Sequence, residues 1–178
     1  FEFSLSSTYS KQTSKCIKIQ PSHRLSRVYL ENLTEKFSNI SSCEYVFCEQ
    51  NFFKIMEVLS YKECCNPLVV GEKGVGKTSL IYSFVKYCLE QDRMSFKDVC
   101  FFKLNLPYLL MQIMARKNIL EIFSNIIKET KPYGNPIIFI DQVERFSLSS
   151  SNSFVFFDFF LALEQALSNK TIRCIVCT

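Results

Sequence analysis

The sequence predicts an α/β fold, a mostly parallel β-sheet held between two layers of helices. Three observations lead there. Runs such as Ile137-Ile138-Phe139-Ile140 are apolar without alternation, so both of their faces must be covered, as in a parallel sheet. Such runs alternate along the chain with stretches of helical apolar spacing, which is the order of β–α–β units. One run, Pro67-Leu68-Val69-Val70, leads through a glycine-rich turn straight into a helical pattern that starts at Ser79. The 178 residues, 48% of them hydrophobic, suffice for one domain with a sizeable core.

In chain order, Phe1 to about Ile19 reads as flexible, and Phe1 to Lys15 is Ser/Thr/Lys-rich without the apolar stretch of a signal peptide. The chain begins at Phe1 rather than Met, which reads as a piece of something longer. Residues 1–29 are expected to form a lead-in or linker and residues 30–178 a partial domain. Arg24 to Phe37 has helical spacing through Leu25, Val28, Leu30 and Leu33, and Cys43 to Phe47 is a short apolar stretch. Asn51 to Tyr61 predicts a helix with Phe52, Phe53, Ile55, Met56, Val58 and Leu59 on a broad apolar face. Pro67 to Val70 predicts a buried strand, and Ser79 to Leu89 a helix. Val99 to Leu104 predicts a second strand; Leu109 to Glu129 is helical, with a break near Arg116-Lys117-Asn118. Lys131 to Pro136 contains Pro and Gly and ends that helix. The Ile137–Ile140 strand, a Ser-rich loop over Ser147 to Ser153, an apolar helix over Phe154 to Leu167 and a fourth strand over Arg173 to Thr178 complete the order, with no internal repeat.

Composition narrows the function classes. The net charge of +4 comes from scattered basic residues, so no nucleic-acid stripe or membrane patch stands out, and no apolar run approaches the length of a membrane span. His23 is the single His, which leaves a His-based catalytic or zinc site little to work with. Nine Cys at irregular spacing read as small buried hydrophobes in a reducing compartment, cytoplasm or organelle stroma. Cys174-Ile175-Val176-Cys177 has C-x-x-C spacing, but residues i and i+3 of a strand face opposite sides, which argues against a metal or redox role. Eighteen Phe with no Trp, beside many Lys, Asn, Ile and Ser, suggest AT-rich coding of the kind found in organelle, plastid-type or reduced genomes.

The chemistry concentrates in Gly71-Glu72-Lys73-Gly74-Val75-Gly76-Lys77-Thr78, which matches G-x-x-x-x-G-K-[ST] without a mismatch. Glycines allow a tight turn that aims successive backbone N–H groups at phosphate oxygens. Lys77 supplies a positive charge for the terminal phosphates, the Thr78 hydroxyl is placed to bind Mg²⁺, and the following helix adds its positive dipole end. The expected ligands are ATP and Mg²⁺. The competing interpretation is a glycine-rich turn that happens to end in Lys-Thr; the strand before it and the helix after it disfavour that. Asp141 lies at the carboxyl end of the Ile137–Ile140 strand, where open α/β sheets bind ligands, and its carboxylate is expected to hold Mg²⁺ through water. A helix-capping Asp is the plainer alternative.

With these motifs in order, the chain resembles the first ATPase module of the Clp chaperone–unfoldase family, the ClpB/ClpC/ClpA type of AAA+ proteins, over about Leu30 to Thr178. Leu30-Glu31-Asn32-Leu33-Thr34-Glu35 is similar to a lead-in helix of pattern L-x-x-x-L-T-E, and Asn66 to Thr78 to N-P-x-L-x-G-E-x-G-V-G-K-T. Asp158 to Thr178 resembles the stretch that ends in C-I-G-A-T, with Ala166-Leu167 and Cys174-Ile175 in register. The resemblance implies a P-loop NTPase core of AAA+ type ending here after its fourth core strand, Thr178 near a sensor position, a ring-shaped homo- or hetero-oligomer and a polypeptide substrate. An arginine finger and a helical lid would follow Thr178. Family topology places the phosphate-loop strand beside the last strand.

Departures from the family pattern are as informative. The family carries Asp-Glu where this chain has Asp141-Gln142, and that Glu is the base that polarises the attacking water. Gln can orient a water but takes no proton at neutral pH. The family's K-Y-R-G pore loop corresponds to about Met114-Ala115-Arg116-Lys117, with Ala115 at the aromatic position. Cys48-Glu49-Gln50 stands where the family has G-R-x-x-E-I. Two readings follow: a divergent but active ATPase module of a protein-remodelling machine with weakened hydrolysis, or a degenerate module that binds nucleotide for assembly or regulation. A switch of another AAA+ branch is a third, disfavoured by the absence of a basic DNA-binding element.

Overall fold

A computed structural model of the chain describes residues 26–39, 49–61, 65–90, 96, 98–115, 118–145, 153–170 and 172–178. The order is α1 (Ser26–Tyr29), β1 (Leu30–Asn32), α2 (Leu33–Ser38), α3 (Glu49–Ser60), β2 (Leu68–Val69), α4 (Lys77–Glu90), β3 (Val99–Leu104), α5 (Leu106–Met114), α6 (Ile119–Thr130), a 3-10 turn (Lys131–Tyr133), β4 (Asn135–Ile140), α7 (Ser153–Ser168) and β5 (Arg173–Cys177). The sheet runs β1-β3-β4-β5-β2. β2 to β5 are mutually parallel, and β1 joins β3 antiparallel, with Leu30 opposite Leu104 and Asn32 opposite Phe102. β2 lies beside β5, as the family topology implies.

Strand pleating divides the interior into two cores. From β4, Ile137 and Phe139 face one side with Phe52, Ile81, Phe84, Phe101 and Ile175, under α2, α3 and α4. Ile138 and Ile140 face the other with Leu104, Leu109, Phe123, Phe159 and Cys174, under α5, α6 and α7. This is the three-layer α/β architecture that unbroken apolar strands require.

Two sequence expectations are corrected. The segment Arg24 to Phe37, read as one helix, contains β1. Its apolar spacing suits a helix, but the Leu30–Asn32 backbone meets the β3 edge and gains ladder bonds there. Asn105 N–H donates to the Tyr29 carbonyl at 2.7 Å, and Asn32 Oδ1 then accepts from Glu35 N–H at 3.1 Å and restarts the helix as an N-cap. Pro67 to Val70, read as a buried strand, is an edge strand: Leu68 is 60% and Val70 72% exposed. Among the described residues β2 pairs only with β5, so one of its sides is open. The long helical segment is broken, with Ala115 closing α5 and Asn118 Oδ1 accepting from Leu120 N–H at 3.0 Å to start α6. The expectations for Phe1–Ile19, Cys43–Phe47, Arg116–Lys117 and, up to Asn152, the Ser-rich loop lie outside the described residues.

Candidate phosphate-binding site

Thr78 and Asp141 meet at the carboxyl ends of the parallel strands, and Thr178 bonds to the end of the strand that leads into the glycine loop. β2 ends at Val69 and the glycine loop follows; Gly74 (φ 88°) and Gly76 (φ 98°) adopt left-handed backbone that a Cβ would strain. A Cβ on Gly71 would lie 3.1 Å from Val75 Cγ1, so the loop closes tightly on itself. α4 begins at Lys77, at the end of the loop, and the N–H groups of its first turn have no partners within the helix. Lys77 Nζ donates to the Gly71 and Glu72 carbonyls at 2.8 and 2.9 Å. Glu72 and Lys73 are exposed on the outside of the turn.

Thr78 and Asp141, 63 positions apart in the chain, are in contact: Thr78 Oγ1 donates to the Asp141 carboxylate, 3.0 Å from Oδ2 and 3.2 Å from Oδ1. Asp141 is 7% exposed, so its charge needs partners. A second partner is Lys103 of β3, whose Nζ lies 3.0 Å from Oδ2 and donates to Tyr82 Oη at 2.9 Å. Burial pulls the Lys103 pKa down, but the bonds to Tyr82 and Asp141 outweigh it and leave it above the ordinary 10.5. Sequence reading passed over Lys103 and Tyr82. The signal was present: a lone charge in the apolar strand Val99-Cys100-Phe101-Phe102-Lys103-Leu104.

Gln142 follows Asp141 with φ 58°, an uncommon left-handed conformation for a side-chain-bearing residue, and is exposed. Glu144 lies in the next turn and is also exposed; Val143 N–H donates to the Cys177 carbonyl at 3.1 Å, which ties this turn to the end of β5. Thr178 N–H donates to Val69 O at 3.2 Å, so Thr178 stands beside the start of the loop. Cys177 is fully buried beneath the site, and burial pushes its thiol up to about 12. Ala115 and Met114 lie exposed at the far end of α5.

The donor set suits Mg²⁺. A hydroxyl and a carboxylate give hard oxygen ligands, the sparse set that Mg²⁺ uses when phosphate and water complete its shell. Among the described residues no group of three or more His, Cys, Asp or Glu gathers to form an all-protein metal cage. Beside the loop, between α3 and β2, lies a cavity of about 680 Å³, with Ile55, Val58, Leu68, Val75 and Leu80 as its apolar walls and Lys54 at its rim. That volume is in the range of small-molecule sites. No described helix is long and apolar enough to cross a membrane.

Comparison with known proteins gives the family and the fold. Residues 67–178 match the ATPase family associated with various cellular activities (AAA). The chaperone protein ClpB of Mycoplasmoides gallisepticum is 29% identical over 127 residues, 70% of this chain and 18% of that protein. ClpB of Malacoplasma penetrans is 30% identical over 119 residues, 66% of this chain and 17% of that protein. The chain thus spans less than a fifth of the length of these relatives. In fold it is similar to Saccharomyces cerevisiae Hsp104 in an extended casein complex (TM-score 0.70, 22% identity, covering 86% of this chain and 26% of that one). It is similar also to the Hsp104–ADP complex (TM-score 0.69, 23% identity, 86% and 21%).

Proposed function

Since the chain belongs to the AAA family of ATPases, as an ATP-binding module of Clp type, we propose that it binds ATP with Mg²⁺ at Gly71–Thr78 and Asp141 and hydrolyses it slowly. The observation that carries this reading is the meeting of Thr78 with Asp141, next to a Gln at position 142. Backbone N–H groups of the loop and of the first turn of α4 cradle the phosphates, and the Lys77 ammonium exchanges neutral carbonyl acceptors for an anionic oxygen, a stronger bond. The cavity beside the loop takes the base and ribose against its apolar walls. Mg²⁺, when bound, supplies charge neutralisation for the phosphates; Thr78 and Asp141 are the residues that hold it.

Slow turnover follows from Gln142. It aligns a water through its amide but accepts no proton, and a general base contributes typically about 10²–10⁴-fold. The module then acts as a long-lived ATP-bound state within a larger protein-remodelling assembly. A homo- or hetero-oligomeric ring, polypeptide substrates and a reducing compartment of cytoplasmic or plastid-stroma type belong to the same proposal, supported by the likeness to ClpB. Single-turnover hydrolysis by the intact protein tests it, comparing wild type, Gln142→Glu and Glu144→Gln. The expected result is a slow wild type that Gln142→Glu accelerates. Wild-type turnover at ordinary ATPase speed, abolished by Glu144→Gln, would show instead that Glu144 serves as the base.

A further inference from the structure

Lys103 is the single charged side chain of β3, and it is half-buried among polar and aromatic partners. Its ammonium donates to Asp141 Oδ2 at 3.0 Å and to Tyr82 Oη at 2.9 Å, and it lies 5.1 Å from the Tyr82 ring centroid and 5.4 Å from that of Phe139. The two hydrogen bonds, with the Phe139 ring close by, restrict its freedom to swing away. Its carboxylate partner is the one that also accepts from Thr78, so ammonium, hydroxyl and carboxylate form one contiguous cluster at the end of β4.

A divalent cation arriving at Thr78 and Asp141 meets a positive charge already bound to that carboxylate. It must either displace an ammonium held by the Tyr82 hydroxyl beside the Phe139 ring or sit close to it, and either costs part of its electrostatic gain. The ammonium meanwhile keeps Asp141 and Thr78 together and adds positive charge to the phosphate end of the site. We propose that Lys103 is a resident counter-ion of this nucleotide site, standing in for much of what the divalent cation does, so that nucleotide binding depends only weakly on Mg²⁺. The inference rests on the nucleotide-binding reading above and deepens it.

The test is the affinity of the intact protein for a fluorescent ATP analogue, measured with Mg²⁺ and again with EDTA. Wild type is expected to lose less than about tenfold in EDTA. Lys103→Met keeps the apolar stem but removes the charge, and should widen that loss by about tenfold or more, whereas Lys103→Arg should leave it narrow. A wild type that loses more than about tenfold in EDTA overturns the inference while leaving nucleotide binding intact; this arm needs no variant to fold. An unchanged Mg²⁺ dependence in a folded Lys103→Met also overturns it. Absence of binding under both conditions overturns the nucleotide reading together with this one.

Discussion

Lys77 shows how a motif residue is prepared before any ligand contact. Its ammonium is tied to two carbonyls of its own loop, at 2.8 and 2.9 Å, so the charge is already at the loop mouth rather than free in solvent. Lys77→Ala removes a charge-assisted contact to phosphate worth about 1.5–3 kcal/mol. That corresponds to about ten- to 150-fold in affinity, measurable by Mg²⁺-ATP titration of the intact protein. Equal affinities for wild type and variant would remove the loop from the site. Gln142 is instructive for a different reason. Its left-handed backbone, φ 58°, carries a steric cost of roughly 1–2 kcal/mol that is tolerated at the residue following Asp141.

At the scale of elements, the turn between α5 and α6 bears on what the module can grip. Asn105 Oδ1 caps α5 by accepting from Tyr108 N–H, Ala115 ends it, and Asn118 caps α6. On the family resemblance the gripping aromatic is expected near Ala115, whose methyl group would offer a passing polypeptide almost no contact area. This module is therefore expected not to pull a chain by itself. Ala115→Tyr in the assembled protein should increase crosslinking to a translocating polypeptide or raise the unfolding rate. Efficient crosslinking from a probe at position 115 in the otherwise unchanged protein would contradict the expectation. β1 makes the complementary point about element choice. Leu30, Leu33 and Phe37 satisfy a helical period, yet Leu30 enters one core and Leu33 and Phe37 the other, which a continuous helix on one face of the sheet could not achieve.

For the whole molecule, the sheet is the wall between two apolar compartments, and phenylalanine fills much of both. Phe52, Phe84, Phe101, Phe139 and Phe159 are all fully buried, with edge-to-face contacts such as Phe84–Phe101 at 6.1 Å. The two C-x-x-C thiols lie on opposite sides of that wall, Cys174 in one core and Cys177 in the other. Burial raises both to about 12 from an ordinary 9.0. Because the folded value is the higher one, their contribution to stability is complete below about pH 9 and is lost as pH rises from there towards 12. Both thiols should resist alkylation at neutral pH until the molecule opens globally, whereas the half-exposed Cys65 should react before either of them. Mass-spectrometric mapping of iodoacetamide labelling reads this directly; Cys177 reacting as fast as Cys65 would show that the end of β5 opens locally.

Four parallel strands, the helices between them, the glycine loop and Asp141 were all legible in the sequence. Each is written in local terms: an unbroken apolar run, a 3.6-residue period, or a motif whose spacing is dictated by phosphate geometry. The opposed faces of Cys174 and Cys177 followed from strand pleating alone. Three features waited for the tertiary structure. β1 became a strand because the β3 edge offered it backbone partners, and nothing within Leu30–Asn32 announces that edge. Leu68 and Val70 are exposed because β2 lies outermost among the described strands, a matter of strand order rather than of composition. Lys103 reached Asp141 only through the register that sets it opposite Phe139 on the neighbouring strand. A charge in an apolar strand says that a partner must exist; long-range pairing alone decides which carboxylate it is.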